Sequence, residues 1–304
     1  MSKKLLLIGG SGLLGLNWQF YDSQSEIIST YSSRLPNIFD NWHQFTYDGS
    51  NYLDLKDLII AINPQVVINC AAIANIEKCE ANRPASTTVN SELPKILAII
   101  CKEIDCKFVH ISTDHFYSEF KVPRSEKIDV VPVNAYGLSK ISGEKFVLDA
   151  NPRALIIRVN FFGFGTISNP SLLDKILDHF EHEKTFFGFN DIFFTPISIK
   201  MLVTNVHKLL QINQSGIFNL ASSNVITKYR FAQTVSDVFE LDAKYLKLAD
   251  SSSVPSRSAR PKYLALDASK FSDLTDTMNI PVEQMLSELK NDIIWRKKLR
   301  MVNV

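Results

Sequence analysis

Cysteine is scarce in this chain of 304 residues: there are four, Cys70, Cys79, Cys101 and Cys106, none in a CxxC pair and none near a histidine cluster. That pattern argues against a zinc framework or any other metal site, and it fits reduced thiols packed in a cytosolic protein. An excess of either charge is also missing. The 33 Lys and Arg nearly balance 32 Asp and Glu, for a net +1, which speaks against nucleic acid as the main partner. No apolar run approaches the length of a membrane span. The opening MSKK followed by LLLIGG is too short an apolar region for a secretory signal. The expectation is a cytoplasmic protein with no membrane contact. Internal repeats and low-complexity segments are absent. The length suffices for a large core in one or two domains.

Glycine is sparse too, 11 in all, yet four stand together at Gly9, Gly10, Gly12 and Gly15. Leu5 to Ile8 in front of them are uniformly apolar, as in a strand buried on both faces of a parallel sheet. A helical pattern starts near Leu13. Strand, glycine turn and helix form a context in which backbone N–H groups at the helix start face a diphosphate. Two registers fit, Gly10-Gly12-Gly15 and Gly9-Gly12-Gly15, and spacing alone does not choose between them.

Strands are read at 26–31, 44–47, 66–70, 107–111 and 154–158, with helices at 13–20, 53–62, 84–104 (kinked or divided at Pro94) and 134–149. This alternation predicts an α/β fold: a Rossmann-type doubly wound parallel sheet with helices on both faces. Beyond residue 160 the pattern changes. Helices at 170–183, 198–211, 227–241 and 281–299 and a strand at 216–220 suggest a smaller C-terminal substrate lobe. The expected division is 1–160 for the dinucleotide and 161–304 for substrate, with 186–212 returning to the first unit. At the end of the second strand stand Ser32, Ser33 and Arg34, with no acid to accept a ribose 2′-OH. That leans toward NADP(H), with Ser32 and Arg34 near a 2′-phosphate and NAD(H) as the second choice.

The chemistry is read from Tyr136-Gly137-Leu138-Ser139-Lys140. A spacing of four on a helix puts phenol and ammonium on one face. A nearby ammonium favours the phenolate and lowers the tyrosine's proton affinity, which suits donation to an alkoxide formed by hydride transfer. Tyr52/Lys56 and Tyr117/Lys121 fit the same pattern, so position decides. Tyr136 opens a helix between the fifth and sixth strands. Thr113, at the end of the fifth strand, is placed to bond a substrate carbonyl, with Ser112 as the competing hydroxyl.

Together these features resemble the extended short-chain dehydrogenase/reductases, and among them the dTDP-4-dehydrorhamnose reductase family of sugar-nucleotide reductases. The resemblance rests on Gly9-xx-Gly12-xx-Gly15, the run from Pro64 to Ala72, Val89-Asn90 and Val109 to Asp114. It continues through Tyr136 to Lys140 with Gly143-Glu144, Ile156 to Arg158, and Arg260-Pro261 before Leu266-Asp267. It is dense to residue 160 and thin afterwards, and it favours the Gly9-Gly12-Gly15 register. It implies a catalytic trio of Thr113, Tyr136 and Lys140, the last two also touching the cofactor. It implies further that Gly9, Gly12, Leu13, Leu14, Gly15, Asp48, Ala71, Ala72 and Asn90 line the dinucleotide. The reaction implied is reduction of the C4 keto group of a nucleotide-linked deoxy-ketosugar.

Three positions depart from the family. His115 stands where a tyrosine is usual and Phe161 where a tryptophan often packs on the sugar. Asn17 replaces a glutamate that in some members joins a metal-bridged dimer, which leaves a homodimer open. His115, Phe161 and Arg260 are candidate substrate contacts, Arg260 toward a diphosphate. His115 after Thr-Asp argues against a sugar-nucleotide dehydratase, which needs an acid there. A 4-epimerase and a non-catalytic NADP-binding subunit, like the β subunit of methionine adenosyltransferase, are the alternatives.

Overall fold

The computed structural model describes residues 3–116, 121–254 and 258–303. In chain order, β1 (Lys3–Ile8) leads to α1 (Leu13–Tyr21), β2 (Ser25–Tyr31), β3 (Trp42–Gln44), α2 (Tyr52–Ile62) and β4 (Val66–Asn69). There follow α3 (Ile76–Ala81), α4 (Arg83–Thr87), α5 (Leu93–Glu103), β5 (Lys107–Ile111), α6 (Ala135–Ala150) and β6 (Leu155–Val159). The next elements are β7 (Phe161–Phe162), α7 (Leu172–Glu181), β8 (Phe186–Phe189), β9 (Phe193–Phe194), β10 (Ile197–Ser198), α8 (Ile199–Gln211) and β11 (Gly216–Leu220). The last are β12 (Ile226–Thr227), α9 (Lys228–Phe239), β13 (Leu246–Ala249), α10 (Ser269–Thr275), α11 (Val282–Lys290) and α12 (Ile293–Leu299).

Seven strands form one sheet in the order β11-β6-β5-β4-β1-β2-β3, every pair parallel. The expected doubly wound fold is therefore present. The chain leaves β1 toward one edge through β2 and β3, then crosses to build the other half from β4 outward. Between β1 and β4 the order reverses, and there the carboxyl ends of a doubly wound sheet part to admit a ligand.

Strand periodicity assigns β1 to both faces. Leu5 and Leu7 join a core with α1, α7, α8 and the C-terminal helices, while Leu6 and Ile8 join one with α2, α5 and α6. The first core runs without a break from the sheet into residues beyond 160, including Phe194, Phe231, Leu264 and Met285. Residues 199–220 supply α8 and β11 directly to the sheet assembly. Thr227 caps α9, its side chain accepting the Arg230 N–H.

Two elements differ from expectation, and a third, the helix at 84–104, divides beside Pro94 as expected. The third strand lies at Trp42–Gln44; the Phe45 N–H still reaches the Tyr31 carbonyl at 2.9 Å, and Phe45 to Tyr47 line a cavity. The helix read at 84–104 is interrupted by a π turn over 88–92, where the Leu93 N–H reaches the Thr88 carbonyl. Pro94 has no N–H for the Asn90 carbonyl one turn back, so the wider turn sits just before it. The helix read at 281–299 breaks at Asn291–Asp292 into α11 and α12. The break lets Trp295 stack on Phe20 at 4.3 Å and donate to Asn17 Oδ1 at 3.0 Å. Among the described residues no helix is long and apolar enough to cross a membrane.

Candidate active site

Two cavities open at the carboxyl ends of the strands. One, of about 310 Å³, lies at the switch point and is lined by Gly9, Ser11 and Gly12, by Thr30 to Ser32, by Phe45 to Tyr47, and by Cys70 to Ala72. Gly9 has a φ of 80°, and a Cβ there would stand 2.8 Å from the Ala71 backbone. Only glycine permits that turn and that approach together. The Gly12 N–H closes the turn on the Gly9 carbonyl at 3.2 Å. A Cβ on Gly15 would come within 2.4 Å of the Gly10 Cα, so α1 presses directly on the turn. The first bond within α1 is Leu16 N–H to the Gly12 carbonyl, 3.0 Å. The N–H groups of Leu13, Leu14 and Gly15 precede it and remain as donors for an anion. No carboxylate is among the residues lining this cavity. A glycine cradle, a helix start and an acid-free rim fit a dinucleotide diphosphate and tolerate a 2′-phosphate.

Several residues expected at the dinucleotide stand apart from this lining, among them Arg34, Asp48 and Asn90. Arg34 is exposed on the loop beyond Ser32. Asp48 is engaged by its own turn, accepting from Ser50 N at 2.8 Å, Ser50 Oγ at 2.9 Å and Asn51 N at 3.1 Å. Those donors hold its carboxyl below the usual range. Asn90 is buried, and its amide is committed to the Ile73 N–H (2.8 Å), the Ile73 carbonyl (3.0 Å) and Ser139 Oγ (3.0 Å). It ties the loop that carries Ala71 and Ala72 to α6 and does not face the cavity itself.

The second cavity, a cleft of about 440 Å³, collects Ser112 to His115, Tyr136, Asn160, Phe161, Lys175, Arg260 and the start of α3 from Ala74 to Glu77. The position of Tyr136 is set by the capping of α6. Asn134 accepts the Gly137 N–H at 2.8 Å and donates to the Ala259 carbonyl at 2.8 Å, while Glu80 accepts the Ala135 N–H at 2.7 Å. Tyr136 in that first turn lines the cleft together with Thr113. The His115 ring lies edge-on to it at 5.6 Å. Burial pushes the Tyr136 phenol up to about 12, with Thr113 opposing and Asp114 adding to the rise.

Lys140, one turn further and 1 % exposed, donates to the Ile111 carbonyl at 2.8 Å. Burial brings its ammonium down to about 8. The lowered tyrosine expected from the YxxxK spacing is therefore not what the protein alone shows. Desolvation of the phenol outweighs any help from an ammonium held by a main-chain carbonyl.

The two hydroxyls have different partners. Ser112 Oγ donates to Glu144 at 2.5 Å, and Glu144 grips Arg158 through Nε (3.0 and 3.1 Å) and Nη2 (2.6 Å). Thr113 Oγ1 accepts the His115 N–H at 3.2 Å, lies 3.4 Å from Asp114 Oδ1, and lines the cleft with Tyr136. Asp114, 2 % exposed, accepts from Asn160 Nδ2 at 2.8 Å and stands 3.4 Å from His115 Nδ1. Arg260 reaches the cleft from the C-terminal part of the chain and is paired with Glu77 at 2.6 and 2.9 Å.

Of the competing YxxxK pairs, Tyr52 and Lys56 lie on α2, with Lys56 paired to Glu103 at 2.8 Å, and neither lines a cavity. Tyr117 lies outside the described residues. Asn17 is fully buried, donating to the Leu13 and Phe164 carbonyls besides accepting from Trp295. It serves the packing of α12. Sequence reasoning missed Glu77, Lys175 and Asn160 in the cleft and Phe45 and Tyr47 in the cofactor cavity. Glu77 sits on a six-residue helix too short to show a period. Lys175 is an ordinary exposed helix cation by pattern.

With this geometry in hand, comparison with known proteins is decisive. The family described as RmlD substrate binding domain matches residues 3–294. The chain belongs to this family. Its curated relatives include the probable low-salt glycan biosynthesis reductase Agl14 of Haloferax volcanii, 30% identical over 86% of this chain and 88% of that protein. The methionine adenosyltransferase 2 subunit beta of Rattus norvegicus is 24% identical over 97% of this chain and 91% of that one. A dTDP-4-dehydrorhamnose reductase from Clostridium acetobutylicum superposes with a TM-score of 0.82 at 26% identity, covering 96% of this chain and 99% of its own. One from Bacillus anthracis, solved with NADP, superposes with a TM-score of 0.83 at 20% identity, covering 96% and 100%. The family resemblance expected from the motifs is thereby borne out, and the RmlD-type chain is an oxidoreductase of the short-chain dehydrogenase/reductase class.

Proposed function

We propose that this RmlD-family chain reduces the C4 keto group of a nucleotide-linked deoxy-ketosugar, with NADP(H) preferred and NAD(H) accepted. The observation that carries the reading is the placing of Thr113 and Tyr136 in one cleft at the same carboxyl end of the sheet as a glycine-cradled, acid-free cofactor cavity. The bound dinucleotide supplies the hydride. Thr113 orients the carbonyl oxygen, and Tyr136 gives its proton to the alkoxide as charge develops there. The phenol carries its proton at neutral pH, as an ordinary tyrosine does, and the nearby Lys140 ammonium would ease its release as the alkoxide forms. Lys140 holds the nicotinamide ribose and replenishes the proton. Gly9, Gly12 and the N–H groups of Leu13, Leu14 and Gly15 receive the diphosphate, with Ala71 and Ala72 packing on the cofactor's flat face. Residues 1–160 with 199–220 carry the cofactor, and the remainder beyond 160 covers the sugar, with His115 and Phe161 beside it. Arg260 and Lys175 meet the nucleotide's phosphates once Glu77 yields.

The test is direct: purified protein is mixed with NADPH and dTDP-4-keto-6-deoxyglucose, with and without a 3,5-epimerase, and absorbance of the reduced nicotinamide is followed. Oxidation in step with added ketosugar is expected. A second reading follows from the methionine adenosyltransferase β-subunit relatives. Tight NADP binding with no oxidation by any 4-ketosugar nucleotide would favour it. Cofactor choice has its own test. Arg34→Ala is expected to weaken NADPH binding roughly tenfold with NADH binding unchanged, the loss of a charge-assisted contact. An unchanged preference removes Arg34 as the reader of the 2′-phosphate.

A further inference from the structure

His110, on β5, is fully buried and takes no part in the chemistry assigned above. Its two ring nitrogens meet different partners. Asn69 Oδ1 accepts the Ala71 N–H at 3.1 Å, which fixes the amide's orientation and turns its Nδ2 toward His110 Nδ1 at 3.2 Å. An amide nitrogen only donates, so Nδ1 must accept and carries no proton. In a neutral imidazole the proton then sits on Nε2. That atom is 3.4 Å from Lys140 Nζ, whose own N–H goes to the Ile111 carbonyl. An N–H aimed at a lysine nitrogen bonds the free amine and opposes the ammonium.

We propose that His110, locked as the Nε2–H tautomer by Asn69, is a positioning residue that loosens the hold of Lys140 on its proton. The proposal deepens the reductase reading and rests on it for its functional meaning. When Lys140 returns a proton to the Tyr136 phenolate, an N–H bond breaks and an O–H bond forms. The amine left behind is the species that His110 can hydrogen-bond. The other groups facing Lys140 do not supply this bias. Glu144 on α6 favours the ammonium but is itself engaged by Arg158 of β6 and by Ser112. Cys70 after β4 is kept a neutral thiol by burial, which pushes it up to about 12. Burial and Lys140 hold His110 well below its ordinary value, so it stays uncharged.

The experiment reads protons on the full chain by NMR, with 15N-labelled histidine and lysine labelled at 13Cε, His110 and Lys140 being assigned by substitution. The unchanged protein is expected to show His110 with a bare Nδ1 and a protonated Nε2. In His110→Phe the Lys140 titration is expected to move up by about one unit. A proton on Nδ1, an imidazolium, or a Lys140 titration that His110→Phe leaves in place overturns the proposal. The tautomer is read in the native protein, so the test holds even where the variant does not fold. In the turnover assay the alkaline limb of kcat/KM moves with the Lys140 titration. A moved titration in a protein that oxidises no NADPH leaves the role of His110 standing and sinks the reductase reading instead.

Discussion

Tyr136→Phe is expected to lower kcat by roughly 10²- to 10⁴-fold with NADPH affinity held within about twofold, the range for removing a general acid. The substitution deletes one oxygen and keeps the ring that meets His115 edge-on. Shape is preserved, and what is lost is the phenolic hydroxyl with the proton it would donate. Cofactor affinity rests mainly on Gly9, Gly12, Ala71 and the start of α1, in a cavity that Tyr136 does not line. Single-turnover oxidation of NADPH, paired with a calorimetric Kd, separates the two effects. Wild-type-like turnover would remove Tyr136 from the chemistry. An equal loss in both measurements would mean that the variant had damaged the site as a whole.

Glu144→Ala carries the largest expected cost in stability, about 3–5 kcal/mol. Arg158 and Glu144 have side chains only 5% and 4% exposed, and they meet at 2.6 Å. Removing the carboxylate strips the buried guanidinium of the Glu144 charge that grips it through Nε and Nη2, and takes the acceptor from Ser112. For a chain of this size the melting temperature should fall by on the order of 10 °C. The double variant Glu144→Leu/Arg158→Met should lose less than Glu144→Ala, because it removes both charges of the pair together. A single variant as stable as the parent by thermal unfolding would contradict this account of the network. A freed Ser112 in that variant would also lie beside Thr113, so a changed KM is expected together with the lower stability.

The parts of the fold that were legible in the sequence are those carried by local pattern. Leu5 to Ile8 announce a strand buried on both faces because neither face needs a polar residue. The glycines after it declare a turn that Cβ atoms would obstruct, as Gly9 against Ala71 shows. Tyr136 and Lys140 fall on one helix face by spacing alone. What the sequence withheld depends on partners far along the chain. Asn90 matched a family motif, yet its amide serves Ile73 and Ser139, which no local pattern reveals. The break before Trp295 follows from its bond to Asn17, 278 positions away. Arg260 could be read as a cation for a diphosphate, but its pairing with Glu77, 183 positions away, is a property of the folded cleft. The proton affinity of Tyr136 went the other way from the YxxxK expectation because burial, a tertiary quantity, outweighed helix spacing.

The central claim, hydride delivery to a sugar carbonyl with Tyr136 as acid, is tested most directly by isotope transfer. The protein is incubated with NADPH carrying deuterium at nicotinamide C4 and with dTDP-4-keto-6-deoxyglucose, with and without the epimerase, and the product is analysed by NMR and mass spectrometry. One deuterium at C4 of the sugar is predicted, in amount equal to the NADPH consumed and abolished in Tyr136→Phe. A product without deuterium at C4, or consumption of NADPH that does not depend on the ketosugar, would contradict it.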